Sequence, residues 1–341
     1  MLFVLSGLLR AQEMGFEEYN PVSTLVVPEN PVQKARYPAV DIHSHHYDMP
    51  TQDLSKVVAA MDSLNLAVLV NLSGRSGDPL KAALENIRKN YPNRFVVFAN
   101  VDFDGVGEPG WGSRAAAQLE EDVRSGAVGL KIYKSLGLRY RDTRGNRIPV
   151  DDPRLDPIWE KCGELGIPVL IHSADPKSFW DPMDAKNERW LELKTRPRRK
   201  RGPDNPAPWQ QIIDEQHRMF RKHPKTTFIN AHMGWYANNL DQLASLLEDI
   251  PNMYVGIAAI IAELGRQPRR ARAFFIKYQD RILFGKDSWQ PSEFPTYFRV
   301  LETADEYFPY HKKYHAFWAM YGMDLPDTVL QKVYYKNALK L

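Results

Sequence analysis

Eight short aliphatic runs alternate with helix-period segments along this 341-residue chain, and no glycine-rich phosphate turn follows the first of them. Together these observations predict an α/β fold, a closed (β/α)8 barrel of the TIM type. An open doubly wound sheet commonly carries G-x-G-x-x-G after its first strand, whereas "AVDIH" at 39–43 runs on into "SHHYD". The remaining runs are "LAVLVNL" (66–72), "RFVVFANVD" (94–102), "AVGLKIY" (127–133), "IPVLIHS" (167–173), "TTFINAH" (226–232), "MYVGIAA" (253–259) and "RILFGKD" (281–287). Parallel strands covered on both faces read as nearly continuous apolar runs, as these do. Between them, Leu54, Val57, Val58, Met61 and Leu64 recur at helical spacing, and so do Leu155, Ile158, Trp159, Cys162 and Leu165. Asp78-Pro79 and Asp152-Pro153 each set a capping residue before a proline at the first helical position.

The barrel domain is read over 37–341, after a Pro-rich lead-in over 1–36. Connections are short except after the fifth strand, where a Pro- and charge-rich insertion over 174–206 is the candidate substrate cover. The tail from Phe308, with "HAFWAMYG" and "LQKVYYKNAL", reads as additional C-terminal helices closing one end. At the start, "MLFVLSGLLRAQE" has an apolar stretch and Ala11 before a polar turn but no basic segment. A signal-peptide remnant over 1–12 is the favoured reading, which places the protein in an exported or periplasmic compartment ahead of the cytoplasm.

Composition narrows the function classes. A hydrophobic fraction of 43% with 26% charged residues is that of a chain that folds into a core. A net charge of +3 gives no general case for nucleic acid, and the basic run "KTRPRRKRG" at 194–202 lacks interleaved aromatics, so it reads as a solvated loop. No segment is long and apolar enough to span a bilayer. Cys162, the single cysteine, falls in a helical pattern and reads as a packed thiol. The expected partner is a small molecule, with homo-oligomerisation left open.

The chemistry lies at the strand ends. The first run ends in His43-Ser44-His45, the fourth carries Lys131, the fifth ends in His172, the sixth in His232 and the eighth in Asp287. In a barrel, C-terminal strand ends converge over one mouth, and i, i+2 spacing turns His43 and His45 to one side while His46 turns away. Neutral imidazoles suit a borderline divalent metal such as zinc, with about three protein ligands and one open position for a water of lowered pKa. Asp287 is then a proton acceptor or a further ligand, and His232 either polarises a carbonyl or completes the coordination. One H-x-H, or one interior histidine, is by itself weak evidence. Four histidines and one carboxylate at four strand ends in the right order make a strong constellation. Lys131 bridges two metals if carboxylated, binds a substrate carboxylate, or pairs with a neighbouring acid, the last being the default.

The segments "DIHSH" (41–45), "PVLIHS" (168–173), "FINAHMG" (228–234) and "ILFGKDS" (282–288) resemble the amidohydrolase superfamily. The resemblance is to its amidohydrolase-related (amidohydrolase 2) group, similar to aminocarboxymuconate-semialdehyde and resorcylate-type decarboxylases and TIM-barrel metal hydrolases. It implies that His43, His45 and His172 bind one catalytic metal, usually zinc, with Asp287 as ligand and proton shuttle. It further implies that His232 lies near the substrate or serves as an added ligand. Lys131 occupies the region where some members carry a carboxylated lysine joining two metals, and a second metal is not favoured here.

Two reactions follow. The first is hydrolysis of an amide, ester or lactone carbonyl, with Asp287 moving the proton and His232 steadying the oxyanion. The alternative is non-oxidative decarboxylation of an aromatic or unsaturated acid. Arg139, Arg266 and the basic group Arg196, Arg198 and Arg199 are candidate carboxylate clamps for it. Trp289, with Trp111, Trp180, Trp190 and Trp235, falls in predicted loops and either lines a pocket or packs the loops together. A non-catalytic barrel is disfavoured because every expected ligand type is present.

Overall fold

The computed structural model describes residues 14–15, 18–19, 21–313 and 315–341; the expected signal remnant at 1–12 lies outside them. Eight strands form one sheet in sequence order: β1 Ala39–Ser44, β2 Leu66–Asn71, β3 Phe95–Asn100, β4 Gly129–Ile132, β5 Val169–Ile171, β6 Phe228–Asn230, β7 Met253–Gly256 and β8 Ile282–Leu283. All seven adjacent pairings are parallel. The ring closes because Ile42 N donates to Phe284 O at 3.1 Å and Asp287 N donates to His43 O at 2.7 Å, with Ser44 bridged to Asp287. This is the predicted (β/α)8 barrel.

Closure leaves no edge strand and sorts side chains into two layers. One apolar cluster, Val40, Ile42, Val70, Leu72, Phe98, Leu170, Ile229, Ala231 and Leu283, fills the interior at alternating positions. A larger cluster packs the outer strand faces against helices such as Ser55–Leu64, Gly77–Asn90, Asp156–Leu165 and Trp209–Lys222. Cys162 is buried and free within that layer, as its helical spacing predicts.

Local differences from the sequence reading have plain causes. The helix expected to begin at Asp78 has Ser76 at its N-cap and Asp78 in its first turn. Asp152 does cap, its carboxylate accepting from Arg154 N at 3.0 Å. "HAFWAMYG" is not helical, since Ala319–Met320 pairs antiparallel with Phe308–Pro309. Helical turns follow only from Asp327, and Tyr335, Ala338 and Leu341 pack against the interior cluster. The insertion holds short helical turns at Lys177–Phe179, Trp190–Thr195 and Pro197–Arg199. Its basic run is partly neutralised from within, Arg199 pairing with Glu192 and Arg201 with Asp175. The lead-in ties back as well: Arg36 pairs with Asp327 at 3.0 Å, and Asn30 donates to Asp305. No helix among the described residues is long and apolar enough to cross a membrane.

Candidate metal centre

Three backbone devices bring the strand-end residues together. The β1–β2 ladder slips register between Asp41 and Ser44, a bulge beside His43 of the kind that re-aims side chains near active sites. His232 opens a left-handed turn with Met233 and Gly234, at φ of 56°, 51° and 60°. Asp287 also has positive φ, at 89°. Such conformations are costly for residues with a Cβ and persist where the surroundings over-determine them. Asp41 supplies part of that constraint: its Oδ1 accepts from His43 N at 2.9 Å and Lys286 N at 3.1 Å, joining the histidine strand to the aspartate strand. Burial raises the Asp41 carboxyl to about 7, against those two N–H groups. Gly285 is needed at the same seam, since a Cβ there would sit 2.9 Å from His43 Cβ.

His43, His45 and Asp287 offer ligand atoms that all lie within 4.8 Å of one another. The Nε2 atoms of His43 and His45 are each 3.5 Å from Asp287 Oδ1. His172 is not in that trio; it meets His232, whose ring centroid is 5.0 Å from that of His43. Asp287 is the most open of the group at 35% side-chain exposure, His45 has 15%, and His43 is sealed.

Two hydrogen-bond relays fix the imidazole tautomers, and each ends on a backbone carbonyl, which can only accept. Ala258 O lies 2.7 Å from His232 Nδ1, so that nitrogen carries the proton. His232 Nε2 is then an acceptor, and His172 Nδ1 donates to it across 3.2 Å. His172 Nε2 is left with a lone pair and no hydrogen-bond partner. On the other side Tyr133 OH donates to Leu72 O at 3.0 Å, so its oxygen accepts from Ser73 Oγ at 3.0 Å. Ser73 in turn accepts from His45 Nδ1 at 2.8 Å, leaving the lone pair of His45 on the Nε2 that faces Asp287.

Electrostatics keep the His43, His172 and His232 imidazoles neutral. Burial, then the charge of Lys131, holds His43 well below the ordinary histidine value; burial, then His232, does the same to His172, and burial brings His232 down to about 4. Burial opposes the charge of Asp287, but the charge that His43, His45 and His232 carry when protonated outweighs it, so the carboxyl is held well below the usual carboxylate range and gives up its proton before they do. Lys131 is 1% exposed, its Nζ has no hydrogen-bond partner, and burial lowers it to about 7 against the pull of Asp287. It faces the Tyr133 ring at 5.5 Å rather than the acid partner expected by default.

This donor set fits a divalent cation. Buried nitrogens on His43 and His172 lack partners, neutral imidazole edges and a carboxylate converge, and the second ring nitrogens of His45 and His172 are anchored as metal-binding histidines require.

The other expected site residues are scattered. Arg139 lines a cavity of about 390 Å³ beside His45, with Tyr47, Ser73, Arg75, Tyr133 and Tyr140. Arg266 does not; it stacks on Trp318 at 3.9 Å and pairs with Glu188. Trp289 packs on His46 and Phe294, and Trp180 donates to Ala207 O. Trp235 lies against the histidines of the centre, its ring 4.6 Å from His232 and 5.6 Å from His172. His46 turns aside to Ser44 Oγ, as its spacing suggests. Sequence reasoning passed over Asp41, Ser73, Arg75 and Tyr133. Period-two spacing offered a signal for two of them, since Asp41 precedes His43 by two residues and Tyr133 follows Lys131 by two.

The family model described as Amidohydrolase matches residues 28–341. No curated protein matches the sequence. Similar solved structures include an uncharacterized TIM-barrel protein from Bordetella bronchiseptica (16% identity, TM-score 0.55, 89% of this chain and 97% of that one). Another is a 2,6-dihydroxybenzoate decarboxylase from Rhizobium (14%, TM-score 0.52, 89% and 98%). A third is a dihydroxybenzoic acid decarboxylase from Polaromonas sp. JS666 with bound manganese and 2-nitroresorcinol (15%, TM-score 0.56, 89% and 96%). At these identities the likeness is one of fold. With the family model covering nearly the whole chain, this protein belongs to the amidohydrolase family of metal-dependent enzymes.

Proposed function

We propose that this enzyme is a metal-dependent hydrolase that directs water at an amide, ester or lactone carbonyl of a small molecule. The observation that carries the reading is the meeting of His43, His45 and Asp287 at the barrel mouth, with Asp287 its most open member. A divalent ion held there by His43, His45, His172 and Asp287, with zinc as first expectation and manganese as the rival, supplies Lewis acidity and lowers the pKa of water. Asp287 accepts the proton of the attacking water and returns it to the leaving group. The expected oxyanion role of His232 changes, because its one hydrogen is given to Ala258 O. His232 instead holds His172 in the tautomer that presents Nε2, and Lys131, buried with no hydrogen-bond partner, is left to donate to a carbonyl oxygen.

A second reading, decarboxylation of an aromatic or unsaturated acid, is favoured by the tyrosine wall beside His45 and by the decarboxylase activity of the Rhizobium and Polaromonas proteins of like fold. The test is a panel of p-nitrophenyl esters, lactones and acyl amides against hydroxybenzoates, run on enzyme loaded with zinc or manganese. Carbonyl hydrolysis supports the first reading. Carbon dioxide release without hydrolysis replaces it with the second.

A further inference from the structure

We infer that Lys286 is a positioning residue for the metal centre: its ammonium, seated on Glu293, closes a clasp over the backbone of Asp287 and sets the angle at which that carboxylate meets the ion. The inference rests on the proposed reading only in taking Asp287 as a member of the centre. It holds for hydrolysis and for decarboxylation alike.

The need for a clasp lies in the backbone. β8 ends at Leu283, and the next turn of helix, Pro291–Glu293, comes only beyond the aspartate. Asp287 therefore stands in an irregular stretch, with a φ of 89° that a residue with a Cβ keeps only under constraint. On its N-terminal side the constraint comes from β1: Asp287 N donates to His43 O at 2.7 Å, and Lys286 N donates to Asp41 Oδ1 at 3.1 Å. On its C-terminal side it comes from Lys286 again. The side chain reaches forward past the aspartate, Nζ donating to Ser288 O at 2.8 Å and lying 3.3 Å from Ser288 Oγ. One residue thus grips the chain on both sides of Asp287, by its amide before and its ammonium after.

An ammonium is an expensive way to fill this space. Lysine is almost never fully buried unless paired, and the Lys286 side chain is sealed from solvent. Its charge is met by Glu293, at the foot of the helix Phe294–Glu302, and by the Phe294 ring 5.9 Å from Nζ. That foot is fixed, since Phe294, Tyr297 and Phe298 are buried in the core and the Tyr297 hydroxyl accepts from Ala259 N at 3.0 Å. Glu293 also has Lys312 Nζ at 3.7 Å, so it does not depend on Lys286 for a countercharge. Exchanging a buried ion pair for packed hydrocarbon is often neutral or stabilising, so an apolar side chain of similar length would serve the core as well. What hydrocarbon cannot do is hold Ser288 O. The lysine is explained by its reach to that carbonyl, and not by packing.

Stability and metal binding should then move apart, as they would not for a mere helix anchor. Native protein, Lys286→Met and Glu293→Gln are compared by chelator competition, by the absorption bands of the cobalt(II)-loaded protein, which report ligand geometry, and by the thermal midpoint of the metal-free protein. Lys286→Met is expected to weaken metal binding about tenfold, as for groups that orient a metal ligand, and to shift the cobalt bands, while the metal-free midpoint stays or rises. On any panel substrate that is turned over, its kcat falls at nearly constant KM. Glu293→Gln leaves the ammonium on Ser288 O without its closest countercharge, so the midpoint falls while metal binding stays close to native. Native metal binding and native cobalt bands in Lys286→Met overturn the clasp, as do losses of metal binding in both variants that follow their midpoints. Should Lys286→Met fail to fold, a crystal structure of the native protein with metal decides: Nζ on Ser288 O with Asp287 on the ion supports the clasp, and Nζ turned away with the ion in place overturns it. The expected metal and cobalt changes in an enzyme that hydrolyses none of the carbonyl panel leave the clasp standing and remove the hydrolase reading.

Discussion

Two buried polar clusters lie near the barrel mouth, and they are built on opposite terms. Under the insertion, Arg189 donates to Glu192 at 2.9 Å and to Glu263 at 3.2 Å and lies 2.8 Å from His315 Nδ1, while Arg199 closes on Glu192 from outside. Charges there are matched by charges, although Glu263 Oε2 has no hydrogen-bond partner. At the metal centre, His43, His172 and Lys131 carry buried nitrogens with no hydrogen-bond partner. An unpaired buried polar group costs roughly 1–3 kcal/mol, so a native fold that gathers several in one place is shaped for something that will satisfy them. The first cluster holds the insertion down; the second receives a ligand.

Substitutions can break or sharpen this contrast. Asp287→Asn should have the largest effect, lowering kcat/KM by about 10²- to 10⁴-fold because the proton acceptor is lost, with reduced metal content by elemental analysis and little change in fold by circular dichroism. Arg189→Met acts in the reverse sense. It leaves Glu192 and Glu263 buried without their partner and should cost about 3–5 kcal/mol in denaturant unfolding, with metal affinity unchanged. Loss of metal binding there would mean that the two clusters are one unit.

A third prediction concerns acid. His217, buried between Phe220 and Tyr236 with Arg221, Asp214 and Asp249 as its charged neighbours, is brought down to about 4, chiefly by burial. Its folded value lies below its unfolded value near 6.5, so the unfolded state binds more protons between them. Stability should therefore fall as pH drops from about 6.5 toward 4, by up to about 3 kcal/mol from this residue, and level off below. His217→Phe should remove this residue's share of that slope in unfolding curves recorded across the range, leaving the shares of the other buried histidines.

The smallest effect is expected at His232. His232→Phe removes the acceptor that fixes His172 and should weaken metal binding by about 10- to 100-fold in a chelator competition. His232→Gln can accept from His172 and donate to Ala258, and should recover most of that affinity. Equal losses in both variants would point to direct coordination by His232.

Barrel and strand ends could be read from sequence because both follow from periodicity: aliphatic runs mark the strands, and the residue closing each run marks the mouth. Asp287, four positions beyond Leu283, illustrates how far that alternation reaches. What periodicity does not encode is a side chain's second hydrogen bond. His232 reads as a carbonyl polariser until Ala258, 26 residues later, is seen to take its proton. Arg75 lay hidden because its position depends on a left-handed backbone and an asparagine on the neighbouring strand. Trp289 and Arg266 take the packing role that sequence left open, because loop residues close to a strand end in sequence can turn aside, Trp289 onto His46 and Arg266 onto Trp318. The tail ends in helical turns as expected, but its "HAFWAMYG" part differs for a related reason: an aromatic-rich segment suits a two-stranded ribbon as well as a helix, and pairing with Phe308–Pro309 decided it.

Anomalous diffraction at the zinc and manganese edges from metal-soaked crystals tests the central claim most directly. The account predicts one peak per chain, within bonding distance of His43 Nε2, His45 Nε2 and Asp287 and on the lone-pair side of His172 Nε2. A crystal that takes up metal only elsewhere, or that shows a peak bonded to His232 in place of His172, contradicts it.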